Sequence, residues 1–79
     1  MALTGAVSSP QALGRILQQA RLAKGLTQHE LAEELGISQG YVSELEVGKA
    51  SLALTRIFEI MRLTGMTLTA AIPEGRDDA

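Results

Sequence analysis

The sequence predicts a mainly α domain: a bundle of four short helices followed by one C-terminal β-strand. Three observations predict it. The 79-residue chain is 46% hydrophobic, yet its only aromatics are Tyr41 and Phe58. A core of Leu, Ile, Val, Ala and Met favours helices over sheets. Four times a Ser or Thr (Ser9, Thr27, Ser38, Ser51) precedes an apolar run of helical period, and four times a Gly (Gly25, Gly36, Gly48, Gly65) follows one. Finally, Met66 to Ile72 begins as an alternation of apolar residues and Thr, which is a strand pattern.

The first helix is expected over 10–24. Ser9 is its cap, and Pro10 occupies the first helical position, where a missing N–H costs nothing. Leu13, Ile16, Leu17 and Ala20 share one face. Gly14 in its interior costs about 1 kcal/mol against Ala, which a close backbone approach would explain. The second helix, 28–35, starts with Thr27 three residues before Glu30, a capping box, and offers Leu31, Ala32 and Leu35. The third, 39–46, offers Val42 and Leu45, with Ile37 just ahead. These two are about two turns each and must pack on neighbours to persist. The fourth, 52–64, offers Leu54, Ile57, Phe58, Ile60 and Met61.

Residues 1–8 read as a flexible N-terminus, 9–65 as the helical domain, 66–73 as a strand ended by Pro73, and 74–79 as a disordered acidic tail. Nothing else in the chain reads as a strand, and one strand cannot stand alone. The expected partner is a second copy of the chain, with Met66, Leu68, Ala70 and Ile72 at a two-fold homodimer contact.

Composition narrows function. With no Cys there is no disulfide, thiolate metal site or Cys nucleophile. A single His, with no partner at ligand spacing, leaves no metal site, and no cofactor is expected. No nucleophile–base pair or phosphate loop is present, so the chain does not read as an enzyme. No signal peptide is visible in residues 1–9, and no apolar run approaches the roughly 20 residues of a membrane span. The expected setting is a bacterial cytoplasm.

The net charge of −2 would argue against nucleic acid, whose binders are usually basic. Its distribution changes that reading. Residues 1–29 hold Arg15, Arg21 and Lys24 without an acid, residues 30–46 hold five Glu without a base, and residues 47–73 hold Lys49, Arg56 and Arg62 against Glu59. The tail accounts for the whole deficit, and the body is neutral.

Residues 27–46 are two short helices joined by a tight turn. Ala32 allows close approach, Gly36 supplies the left-handed backbone of the turn, and Ile37, Val42 and Leu45 point to the core. In such a helix-turn-helix the second helix offers its N-terminal residues to the DNA major groove. Leu26-Thr27-Gln28, Leu31-Ala32, Gly36-Ile37-Ser38, Tyr41-Val42-Ser43 and Leu45-Glu46-x-Gly48-Lys49 together resemble the Cro/CI-type (XRE) helix-turn-helix regulators, over roughly residues 12–68. The resemblance implies a lambda-repressor-like fold and a DNA-binding transcriptional repressor, associated with the nucleoid. The strand directly after the fourth helix is similar to that of HipB-type antitoxins. This implies a homodimer on a palindromic operator, with a HipA-like kinase toxin as partner.

The candidate DNA-contacting residues are Gln28, Ser38, Gln39, Gly40, Tyr41, Ser43, Glu44 and Lys49. Gln39 can bond adenine bidentately, and Ser43, one turn on, can reach a base edge or a phosphate. Gly40 leaves room for a thymine methyl. Tyr41 either donates to a phosphate or packs locally. Glu44 could accept from a cytosine amino group, but repulsion from phosphates favours solvent. Gln28, beside the free amides of its helix N-terminus, and Lys49 suit phosphates. By resemblance, Arg21 and Glu46 match a partly buried salt bridge of the family, a scaffold element. Two other functions stay open: a stand-alone regulator without a toxin, and a protein-interaction adaptor that no longer binds DNA.

Overall fold

A computed structural model of the chain describes residues 3–74. The elements run β1 (Leu3–Ala6), α1 (Pro10–Ala23), α2 (Gln28–Leu35), α3 (Gln39–Glu46), α4 (Leu52–Thr64) and β2 (Thr69–Ile72). The residues expected to cap the helices do so. The hydroxyl oxygens of Ser9, Thr27, Ser38 and Ser51 accept from the backbone N–H groups of Ala12, Glu30, Tyr41 and Leu54 at 3.0–3.2 Å. At α2 the box closes reciprocally, because Thr27 N–H donates to Glu30 Oε1 at 2.8 Å. That bond also holds the Glu30 carboxyl below the usual carboxylate range. Gly36 ends α2 at φ +70°, a left-handed cap that turns the chain into α3 within two residues.

The N-terminus departs from expectation. The sequence predicts residues 1–8 to be flexible and to hold no strand. Instead, Leu3–Ala6 forms β1 and pairs antiparallel with β2, Leu3 opposite Ile72 and Ala6 opposite Thr69. Val7 N–H donates to the Leu68 carbonyl at 2.9 Å, and the Val7 side chain is only 2% exposed. Val7, Phe58 and Met61 form the core cluster, with Leu13, Ile16, Leu54 and Ala70 packed against it. The physical reason is non-local. A four-residue strand containing Gly5 has no pattern of its own, and its partner lies at the far end of the chain.

This pairing also corrects the expected strand contact. The strand expected over 66–73 spans only Thr69–Ile72, and the missing neighbour comes from the same chain. Ala70 packs on the core and Ile72 is buried, so their side chains serve the monomer. Met66 and Leu68, just before the strand, stay exposed. The expected acidic tail begins at Glu74, and its residues 75–79 lie outside the described residues.

α4 buries less of its apolar surface than expected. Leu54, Phe58 and Met61 face the core, while Ile57, Ile60 and Leu63 are exposed. The helix is apolar over a wider arc than one small core can cover.

The packing of α1 on α3 explains Gly14. A Cβ added there would lie 2.5 Å from the Glu46 carbonyl oxygen and 2.6 Å from that of Leu45. Just beyond α3, a Cβ on Gly48 would fall 2.5 Å from the Gln11 Cα. Two glycines, one on each side of the contact, let backbone meet backbone where the third helix ends.

Candidate nucleic-acid interface

The third helix is split between two duties. Val42 (2% exposed) and Glu46 (7%) face inward and seat it on the body of the domain. Gln39, Gly40, Tyr41 and Glu44 are exposed, and Ser43 is half-buried. Gln39 and Ser43 make no side-chain hydrogen bond among the described residues, so their polar groups are available. Ser38 is spent locally, since its hydroxyl oxygen accepts the Tyr41 N–H. Its own O–H remains able to donate.

What seats α3 is an ion pair. Arg21 on α1 donates from Nε to Glu46 Oε2 at 2.6 Å and from a terminal nitrogen to Oε1 at 3.1 Å. A further Arg21 N–H reaches the Leu26 carbonyl at 2.8 Å. The planar fork of arginine fits a carboxylate in this two-pronged way. The guanidinium hydrogen bond holds the Glu46 carboxyl below its usual range against the opposing effect of burial, and Gln28 helps.

That last contact has no signal in the sequence. Gln28 Nε2 donates to Glu46 Oε1 at 3.0 Å, across 18 residues of chain. Gln28 is half-buried and braces the pair. An amide carries two N–H donors, so one remains for a phosphate. Some of the charges around the helices are paired among the described residues. Lys49 Nζ lies 3.4 Å from Glu44 Oε2, and Arg56 donates to Glu59 Oε1 at 2.6 Å. Lys49 thus stands beside the outer face of α3, but with its charge balanced by Glu44.

The described residues contain no group of three or more His, Cys, Asp or Glu able to hold a metal ion. None of their helices is long and apolar enough to cross a membrane.

A capped pair of two-turn helices, the second anchored from behind and polar in front, defines a helix-turn-helix domain. A helix-turn-helix family model matches residues 17–70, and the chain belongs to that family, of the Cro/CI type. Two curated relatives narrow the comparison. The chain is 32% identical over 63 residues to "Antitoxin HipB" of Escherichia coli (strain K12), covering 80% of this chain and 72% of that protein. It is equally identical over the same length to "Antitoxin HipB" of Escherichia coli O6:H1 (strain CFT073), covering 80% and 67%. No solved structure matches the chain at a comparable level.

Proposed function

We propose that this chain is a sequence-specific repressor that reads a pseudo-palindromic operator as a homodimer, and that it acts as the antitoxin of a HipB-like toxin–antitoxin pair with a HipA-like kinase as partner. The observation that carries the DNA reading is the division of α3, with Val42 and Glu46 fixed inside, Gln39 and Gly40 exposed, and Ser43 half-exposed beside them. A helix seated from behind, with free polar side chains in front, is what base readout requires. Gln39 pairs with adenine, Ser43 reaches a base edge or a phosphate, and Gln28 and the α2 N-terminus hold the backbone. Ser38 and Tyr41 donate hydroxyls to phosphates, and Gly40 admits a thymine methyl. Lys49 joins them when phosphate competes it away from Glu44, which turns to solvent.

The test is a gel-shift titration on the native promoter. The Gln39→Ala, Ser43→Ala double variant should stay folded and lose between tenfold and a thousandfold in specific affinity, as lost base contacts do. Undiminished binding would remove α3 as the reader. The balanced charges favour modest non-specific affinity and a shallow dependence on salt. They also lend the adaptor reading its one support. That reading survives only if no DNA sequence is bound above background.

The dimer reading rests on apolar surface. Ile57, Ile60 and Leu63 recur every third residue on the outside of α4, and exposed Met66 and Leu68 follow. Exposed apolar patches of this kind mark association surfaces. With β2 paired inside its own chain, the two α4 faces and the exposed Met66 and Leu68 beside them form the contact between copies. The two third helices would then lie about 34 Å apart, one turn of DNA. In sedimentation, Ile60→Lys should weaken the dimer at least tenfold, because it buries an unpaired charge. A dimer of undiminished strength would exclude this face.

A further inference from the structure

Behind α3, on the side away from the polar face, lies an open cavity of about 360 Å³. Leu17 and Ala20 of α1, Leu31 and Leu35 of α2, and Val42 and Leu45 of α3 wall it. It is not sealed: Leu35 is 60% exposed and Leu17 42%. Its volume falls in the range of small-molecule sites, which are mostly apolar with a few polar groups at defined places. The charges on its lining are three. Arg21 and Glu46 neutralise each other through their two-pronged pair. The third, Lys24, forms the C-terminal cap of α1, is exposed, and makes no ion pair among the described residues. The lining therefore carries one cationic side chain without an ion-pair partner among the described residues, beside an apolar chamber.

We propose that this cavity binds a small amphipathic monocarboxylate, an aliphatic or aromatic acid of roughly eight to ten heavy atoms. Its apolar body lies between α1, α2 and α3, and its carboxylate meets Lys24 at the mouth. The site is separate from the DNA face, yet Val42 and Leu45 belong to the helix whose outer side carries Gln39 and Ser43. A ligand there rests on the seat of that helix, so binding at either face influences the other by thermodynamic linkage.

The test titrates octanoate, hexanoate and 1-octanol into the full chain, with its Leu and Val methyl groups labelled for NMR. Octanoate should shift the methyls of Leu17, Leu31, Leu35, Val42 and Leu45. It should bind about sixteenfold more tightly than hexanoate, since each buried methylene is worth about fourfold. Octanol should bind more weakly than octanoate. Lys24→Gln should weaken octanoate about fivefold without affecting octanol, and Lys24→Arg should restore it. Three results overturn the proposal: no shift of these methyls with octanoate, equal binding of acid and alcohol, or the same methyls shifting on simple dilution of the protein. The last would mean that a second copy of the chain fills the cavity.

Discussion

Gly14→Ala is expected to be strongly destabilising, although it adds a single methyl group. Ala is ordinarily the better helix residue by about 1 kcal/mol, so on an open helix the substitution would stabilise. Here the added carbon would sit 2.5 Å and 2.6 Å from two carbonyl oxygens at the end of α3. Neither obstacle is the loose end of a side chain. Relief requires α1 and α3 to separate, and that separation disturbs the ion pair that joins the same two helices. A loss of about 3 kcal/mol is expected, at the upper end of overpacking costs. For a chain of this size that lowers Tm by well over 10 °C. Thermal unfolding followed by circular dichroism checks it, and an unchanged or raised Tm would refute the backbone contact.

Glu46→Gln should be nearly as costly, for an electrostatic reason. The change keeps the volume of the side chain but leaves Arg21, with a buried guanidinium, facing a neutral amide. Breaking one half of such a pair costs about 3 kcal/mol when the remaining charge stays covered. Its pH dependence is diagnostic. The folded-state value of Glu46 is depressed, chiefly by the Arg21 hydrogen bond. Its contribution is therefore complete above the unfolded carboxylate value, near 4.5, and is lost as pH falls through the lower folded value. The wild type should lose more stability than the variant on acidification, and the gap between them should narrow below pH 4.5. Urea titrations of both at pH 7 and pH 3 measure this. A gap that stays constant would mean that the Glu46 charge does not hold α3.

The helices and their caps were legible in the sequence because their signals are local. Thr27 and Glu30 are three residues apart, and each helix carries its period within one or two turns. The helix-turn-helix was legible for the same reason, since Ala32, Gly36, Ile37 and Val42 lie within eleven residues. What was not legible joins distant segments. β1 has no sequence pattern until β2 is laid beside it, so Val7 went unrecognised as core. Gln28 reads locally as a phosphate ligand, and nothing near it in sequence shows its second attachment to Glu46. Gly14 lies between these cases: its cost in a helix was visible, but the carbonyls that require it belong to residues 45 and 46. α4 misled in the opposite direction. Ile57 and Ile60 fit the helical period of a core face, and only the size of the body decides how many such residues it can cover.

The most direct test of the central claim is a binding-site selection from random duplex DNA, performed with the wild type and with Gln39→Ala. If α3 of a homodimer reads the operator, the wild type will enrich a pseudo-palindrome with half-sites about 10 base pairs apart, centre to centre. Gln39→Ala will then lose its preference at one symmetry-related pair of positions, an adenine in each half-site. Failure of the wild type to enrich any sequence, or an unchanged motif with Gln39→Ala, would contradict it.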